Sequence, residues 1–229
     1  MTPDDDDAPA SYASPPCYMH ELDPAYAGLS QQGDLVQSTD VARWRKTERT
    51  RLIEQRLAIP PDIRRQHDER IADHLREVMG SLEGLVVSVY WAFRGEPNLY
   101  RMMKDVVSCG GQVALPVVVA RCEPLVFRSW APGGRLDRGV WNIPVPPPDA
   151  PIVMPDIAIA PVVGFDGACY RLGYGGGYFD RTLAALPRRP RVIGVGYSSA
   201  AIVTIYPQWH DIPMNCIVTE KDKIFTGID

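Results

Sequence analysis

The sequence predicts an α/β fold: an open, mostly parallel sheet with helices on both faces, in three layers. Three observations carry this. Short apolar runs such as "GLVVSVYWAF" (84–93), "QVALPVVV" (112–119), "DIAIAPVVGFD" (156–166) and "RVIGVGYS" (191–198) have strand length and little polar alternation, as strands buried on both faces do. Segments with helical signals lie between them, the order that builds parallel sheets. At 229 residues, 45% hydrophobic and 23% charged, the chain has the composition of one sizeable globular domain.

The elements follow in order. Residues 1–39 carry "DDDD" and "SPP" and no periodicity, and are expected to form an acidic, flexible extension ahead of a single domain, 40–229. The stretch 40–58 reads as a helix with Asp40 as N-cap and an apolar stripe of Val41, Trp44, Leu52, Ile53 and Leu57. Its other face is strongly basic, with Arg43, Arg45, Lys46, Arg49, Arg51 and Arg56. Pro60 and Pro61 end it, and a second helix runs over 62–79 with Ile63, Ile71, Leu75 and Val78 inward. "NLYRMMKDVVSCGG" is a helix with a glycine stop, "PLVFRSW" a strand near an edge, and "IPVPPPDAP" a proline-rich connection. "YFDRTLAAL" opens a further helix, and "CIVTE" is the last strand.

Several classes are excluded. A net charge of −4 gives no support to nucleic-acid binding. No apolar run approaches the ~18–20 residues of a membrane span, and the acidic start has no signal-peptide core. Five cysteines without a C-x-x-C pair suggest reduced thiols in the cytoplasm, and the four histidines show no metal-site spacing.

The chemistry concentrates in "RLGYGGGYFDR" (171–181), with Gly173, Gly175, Gly176 and Gly177 between a strand and a helix. Glycines let backbone approach a ligand closely, and N–H groups leading into a helix attract anions. Arg171 adds a fixed cation with bidentate geometry, and Asp180 offers a carboxylate of the kind Mg²⁺ shares with phosphates. Both are expected on an exposed loop. The stretch fits neither G-x-x-x-x-G-K-[ST] nor G-x-G-x-x-G. A purely structural turn, with Asp180 serving the helix dipole, is the competing reading.

"FDGACYRLGYGGGYFDRTL" (165–183) resembles the signature of the 5-formyltetrahydrofolate cyclo-ligase family. The resemblance runs from about Arg45 to Glu220 and includes the basic first helix, "GE" (95–96), "WNIP" (141–144) and "HD" (210–211), in the family's order. It implies a cyclo-ligase-like three-layer fold and an ATP- and Mg²⁺-dependent conversion of 5-formyltetrahydrofolate to 5,10-methenyltetrahydrofolate. It also implies Arg45, Arg49, Arg171, Leu172, Gly173, Tyr174, Gly175, Gly176, Gly177, Tyr178 and Phe179 at ATP, with Arg171 and Tyr178 catalytic. Glu96, Trp141 and the run Tyr174 to Tyr178 fall at the folate, and Asp180 and Asp211 at Mg²⁺. A small-molecule folate partner, as a monomer or homodimer, completes the expectation. The chain departs from the family at Cys169, where glycine is usual, at Phe179, where a second tyrosine is usual, at Asn98, where an acid is common, and at Arg45, usually lysine. These departures keep two alternatives open: a relative phosphorylating another small amide or acid, and a non-catalytic folate or nucleotide binder.

Overall fold

A computed structural model describes residues 32–227. The expectation for the acidic extension therefore falls almost entirely outside the described residues. The chain forms α1 (Gln32–Leu57), α2 (Pro61–Met79), β1 (Val86–Ser88), α3 (Tyr100–Ser108), β2 (Gln112–Val117), β3 (Val126–Ser129), β4 (Asp137–Arg138), β5 (Pro144–Val145), β6 (Ile157–Pro161), β7 (Gly164–Phe165), β8 (Arg171–Leu172), α4 (Tyr178–Ala185), β9 (Arg191–Val195), β10 (Cys216–Val218) and β11 (Lys223–Phe225). Asp40 lies inside α1 and pairs with Arg43 one turn on, so it does not cap the helix.

Seven strands form one sheet in the order β11-β10-β9-β6-β1-β2-β3. The five inner strands are parallel, and β3 and β11 close the edges antiparallel. The expected edge strand is β3. β11 was not expected; "CIVTE" is followed by it rather than ending the sheet.

Period-two alternation divides the sheet's side chains between two faces. Val87, Val113, Leu115, Ile157, Ile159, Ile193, Val195, Cys216 and Val218 share one core with Ile71, Leu75 and Val78 of α2 and Met102, Met103 and Val106 of α3. The opposite face is built from smaller groups. Ala160, Val192 and Ile217 there meet Phe179 and Leu183 of α4. Helices thus cover both faces, as expected. Ile63, expected inward, is among the exposed large apolar residues.

Gly194 explains part of this asymmetry. A Cβ at Gly194 would stand 2.4 Å from Ile217 Cδ1 and 3.1 Å from Val162 Cγ1. Its neighbours on that face leave room for hydrogen only.

After β1 the chain builds β2 on one side, then returns to build β6 on the other. The carboxyl ends of β1 and β6 therefore flank a topological switch point, where open α/β sheets bind ligands. The segment after β6 makes a hairpin, β7–β8, that sequence reasoning missed. Asp166, 3% exposed, holds the turn: its Oδ1 accepts the Ala168 and Tyr170 N–H groups, and its Oδ2 accepts that of Ile205. Cys169 takes the left-handed conformation, φ 62°, so it follows the backbone path a glycine would, not a different one. Its thiol is fully buried and donates to Ile224 O at 3.4 Å.

Cys122 is disulfide-bonded, against the expectation of reduced thiols throughout, whereas Cys109, Cys169 and Cys216 are free. No helix among the described residues is long and apolar enough to cross a membrane.

A β-branched residue is strained at positive φ, and the Cys169 site has no room to relax. Cys169→Val should therefore lower unfolding free energy by about 2 kcal/mol or more, with Cys169→Gly much closer to wild type. Denaturant melts of the two variants measure the difference, and equal destabilisation would sink the argument.

Candidate active site

α1 carries the site's positive charge on one inward stripe. Arg45, Arg49 and Arg56 are spaced four and seven residues apart, one turn and then two, so all three fall on the same side of the helix. Arg45 is 9% exposed and Arg56 only 6%, while Arg43, Lys46 and Arg51 face solvent. The expected apolar stripe is corrected at its end: Leu57 is 48% exposed and Arg56 takes the inward place. Leu52 and Ile53 sit between the arginines and pack on Val163, Leu172 and Ile205.

At one end, Arg45 forms a two-pronged pair with Asp211, Nη2 to Oδ2 at 2.5 Å and Nη1 to Oδ1 at 3.2 Å. Its Nε donates to Ile205 O at 3.0 Å and its Nη2 to Tyr206 O at 2.9 Å. Asp211 Oδ2 also accepts the Gln208 N–H at 2.6 Å. Arg45 thus ties the loop 205–211 to α1.

In the middle, Arg49 Nε donates to Gly173 O at 2.7 Å, and its two terminal nitrogens have no hydrogen-bond partner among the described residues. The guanidinium lies 3.4 Å from where a Cβ on Gly175 would be, and Gly175 has φ 98°, so close approach and conformation both require glycine. Burial, and then the Arg45 charge, lower the Arg49 pKa to about 10, which still leaves it charged at neutral pH.

Arg171 is tucked beneath the glycine loop and is not on an exposed loop as expected. Its side chain is 6% exposed, its Nη2 donates to Asp180 Oδ2 at 2.7 Å, and its guanidinium lies 5.1 Å from the centre of the Phe179 ring. Its Nε is buried without a partner. Phe179 is itself buried, packed with Leu183 and Met214, so the missing hydroxyl falls beneath the loop rather than at its mouth. Gly177, φ 61°, turns the chain into α4. Tyr178 opens that helix at the loop, with the Arg181 guanidinium 5.5 Å from its ring centre.

The two carboxylates expected at a metal are neighbours. Asp180 Oδ1 accepts the N–H of Ile212, the residue after Asp211, at 3.3 Å. Each is compensated by an arginine, and no group of three or more metal-ligating side chains occurs among the described residues. Two hard oxygen donors fit a Mg²⁺ that draws its remaining ligands from phosphates and water.

At the far end, the loop after β1 turns through Arg94 (φ 48°) and Gly95 (φ 77°) to present Glu96. Glu96 is 5% exposed. Its Oε2 accepts the Phe93 N–H at 2.8 Å and its Oε1 accepts the Tyr174 hydroxyl at 2.9 Å. Arg56 Nη2 donates to the same hydroxyl at 2.5 Å, and Arg56 Nε to Arg94 O at 3.0 Å. Burial pushes the Glu96 carboxyl up to about 7, against the pull of the Arg56 charge and both hydrogen bonds. Trp141, 40% exposed, stands in the β4–β5 turn at φ 56° with Asn142 at φ 60°. Its ring lies 11° from parallel to Phe93, centres 6.4 Å apart. Asn98 is exposed and accepts the Tyr100 N–H at 3.0 Å, which places that departure at the start of α3 rather than in the pocket.

The structure therefore brings Arg45, Arg49, Arg171, Asp180 and Asp211 together around the loop, and Glu96, Trp141 and Tyr174 together beside it. Sequence reasoning missed Arg56, Phe93 and Asp166. Arg56 was legible: eleven residues after Arg45 is three helical turns, the same face.

An open α/β sheet with a glycine loop and buried arginines at its switch point is a small-molecule site of enzyme type. Residues 41–220 match the model of the 5-formyltetrahydrofolate cyclo-ligase family. The chain is similar to the 5-formyltetrahydrofolate cyclo-ligase of Mycolicibacterium smegmatis, 28% identical over 185 residues, which cover 77% of this chain and 93% of that relative. That of Escherichia coli is 26% identical over 172 residues, covering 72% and 94%. The fold is also that of the solved 5,10-methenyltetrahydrofolate synthetase of Aquifex aeolicus, with a TM-score of 0.70 and 24% identity over 81% of this chain and 94% of that one. The synthetase of Mycoplasma pneumoniae follows, with a TM-score of 0.65 and 19% identity, covering 77% and 99%. The chain belongs to the 5-formyltetrahydrofolate cyclo-ligase family and is an enzyme of the ligase class.

The Glu96 carboxyl has a linked effect on stability. Its pKa is raised on folding, so its contribution is complete below the unfolded value near 4.5 and is lost as pH rises through about 7. Between pH 5 and pH 8 the wild type should lose up to about 3 kcal/mol that a Glu96→Gln variant does not lose. Parallel denaturant melts at the two pH values would show parallel curves if Glu96 does not carry this burden.

Proposed function

We propose that this enzyme uses MgATP to convert 5-formyltetrahydrofolate to 5,10-methenyltetrahydrofolate, releasing ADP and phosphate. The observation that carries the reading is Arg49: a charged guanidinium over a glycine loop, its terminal nitrogens unengaged by the described protein, on the same helix stripe as the group that binds Glu96 through Tyr174. In this reading phosphate recognition and heterocycle recognition lie end to end, as the transfer of a phosphoryl group to a bound folate requires.

A formamide oxygen is a poor leaving group. Transfer of the γ-phosphoryl group to it forms the new P–O bond as the bond to ADP breaks. The folate's anilino nitrogen then attacks the activated carbon, its proton passes to the departing phosphate or to water, and inorganic phosphate leaves with the former formyl oxygen. There is little covalent work for the protein; positioning and charge neutralisation dominate. Arg49 would meet the transferred group, and Arg171, through Asp180 and its place under Gly173, would hold the loop's shape and add field. Asp180 and Asp211 would hold Mg²⁺, which when bound neutralises charge on the phosphate oxygens. Glu96 would accept hydrogen bonds from the pterin's side-by-side donors, Trp141 and Phe93 would present flat faces to the ring, and Tyr178 would flank the reacting centre. Phe179 and Asn98, which motivated the alternatives, lie beneath the loop and at a helix start, which supports the parent reaction. An ATP-consuming reaction of this kind fits a cytoplasmic enzyme.

Purified protein with MgATP and 5-formyltetrahydrofolate should develop the near-ultraviolet absorbance of the methenyl product with matching ADP. ATP turnover with another amide or acid only, or tight folate binding without turnover, would replace this reading with one of the alternatives. Arg49→Met should lower kcat roughly 100-fold or more with little change in thermal midpoint, since the stem is kept. Arg171→Met should lose both activity and stability, because it leaves Asp180 without its cation. Near-normal kcat for Arg49→Met would remove Arg49 from the phosphate site.

A further inference from the structure

We infer that Arg56 and Glu96 together read the lactam edge of the pterin ring, and that the Tyr174 hydroxyl keeps their place until substrate displaces it. The inference rests on the folate reading above and assigns Arg56 a role in specificity.

The geometry is a donor–acceptor code. The Tyr174 hydroxyl gives its hydrogen to Glu96 Oε1 at 2.9 Å and receives one from Arg56 Nη2 at 2.5 Å. One atom thus acts as donor to the carboxylate and acceptor from the guanidinium. A pterin lactam offers the same pair on adjacent groups: a ring N–H that donates and a ring carbonyl that accepts. A protein pair that holds a hydroxyl in this way holds a lactam by the same bonds. The carbonyl has two lone pairs where the hydroxyl has one acceptor contact in use.

A second observation points to an absent acceptor. Arg56 Nη1 is buried and has no hydrogen-bond partner, although the residue is 94% buried and its Nε and Nη2 are engaged. Buried donors without partners are uncommon in native proteins and call for an explanation. Tyr174 covers this guanidinium face, its ring centre 5.7 Å from Arg56 Cζ. Tyr174 also stands in the glycine loop, between Gly173 and Gly175, the latter at φ 98°. Moving Tyr174 off Glu96 frees Arg56 Nη2 and one oxygen of Glu96 at once, beside the already unpartnered Nη1. The carbonyl takes the guanidinium donors, and the ring N–H and neighbouring amino group take the carboxylate.

The raised Glu96 pKa fits this arrangement, because the free site buries a carboxylate with one cation shared through a phenol. Other groups facing it are Tyr90 and the Phe93 N–H, and neither supplies a positive charge.

The test compares two ligands on the full chain at one pH: 5-formyltetrahydrofolate, and a 4-amino-4-deoxy folate in which an amino donor replaces the carbonyl acceptor. Kd values come from calorimetry. Arg56→Met should lower the ratio of oxo-ligand to amino-ligand affinity at least tenfold, by weakening the oxo ligand. Arg56→Lys, which keeps the charge and a single donor point, should retain part of the discrimination, and it serves if the Met variant does not fold. Tyr174→Phe, which removes the place-holding hydroxyl, should bind the oxo ligand as tightly as wild type or a few-fold tighter. Equal loss for both ligands in Arg56→Met and Arg56→Lys would assign Arg56 a structural role and overturn the inference. A tenfold weaker oxo ligand in Tyr174→Phe would overturn the place-holding part. A wild type that binds neither ligand and forms no methenyl product would overturn the folate reading itself, and the inference with it.

Discussion

A guanidinium taken out of water is unfavourable by several kcal/mol unless its charge and its N–H groups are matched. α1 takes three of them inward along one stripe, and the matching of each shapes a different part of the molecule. Arg45 is matched by Asp211 and by two backbone carbonyls, which fixes the loop 205–211. Arg56 is matched by a carbonyl and a phenol that leads to Glu96, which fixes the loop after β1. Arg49 is matched at one nitrogen only, by a carbonyl of the glycine loop. The arginine stripe is therefore anchored at Arg45 and Arg56, with Arg49 meeting a single carbonyl between them, and that is where phosphate would sit. Removing Arg45 would release the loop 205–211 and leave the loop after β1 in place, and removing Arg56 would do the reverse.

Much of this was legible in the residues. Apolar runs of strand length between helical segments led to the parallel sheet and its two covered faces, because buried strands lack polar alternation whatever their partners. The glycine loop was legible because Gly175 and Gly177 need positive φ. The arginine stripe was half legible: Arg45 and Arg49 stand one turn apart, while Arg56 was counted only among the basic face of the helix. Hydrophobic patterning assigns an inward place to Leu57, and only tertiary pairing reverses it. β7, β8 and β11 are two or three residues long, too short to carry a period. Arg171 was placed at an exposed surface because arginine ordinarily is; its burial follows from Asp180 and the Phe179 ring, nine and eight residues on in the chain.

Three of the four departures from the family pattern are absorbed locally. Cys169 keeps a glycine's backbone angle and adds a buried thiol. Phe179 gives its face to Arg171, a role that needs an aromatic ring and not a hydroxyl. Asn98 serves the start of α3 with its side-chain oxygen. These three changes keep their neighbours in place, whereas the fourth, Arg45, is matched by Asp211 and two backbone carbonyls far along the chain.

The pairing of Arg45 with Asp211 spans 166 residues of chain. The carboxylate that matches the buried Arg45 of α1 is therefore made 166 residues after it. Until Asp211 is made, Arg45 lacks the carboxylate that matches it, and Leu52 and Ile53 wait on Val163, Leu172 and Ile205, on which they pack. The sheet's first parallel pair, β1 with β2, joins residues about 26 apart and can assemble long before. The sheet's first parallel pair can thus form before the Arg45–Asp211 pair that closes the loop 205–211 onto α1.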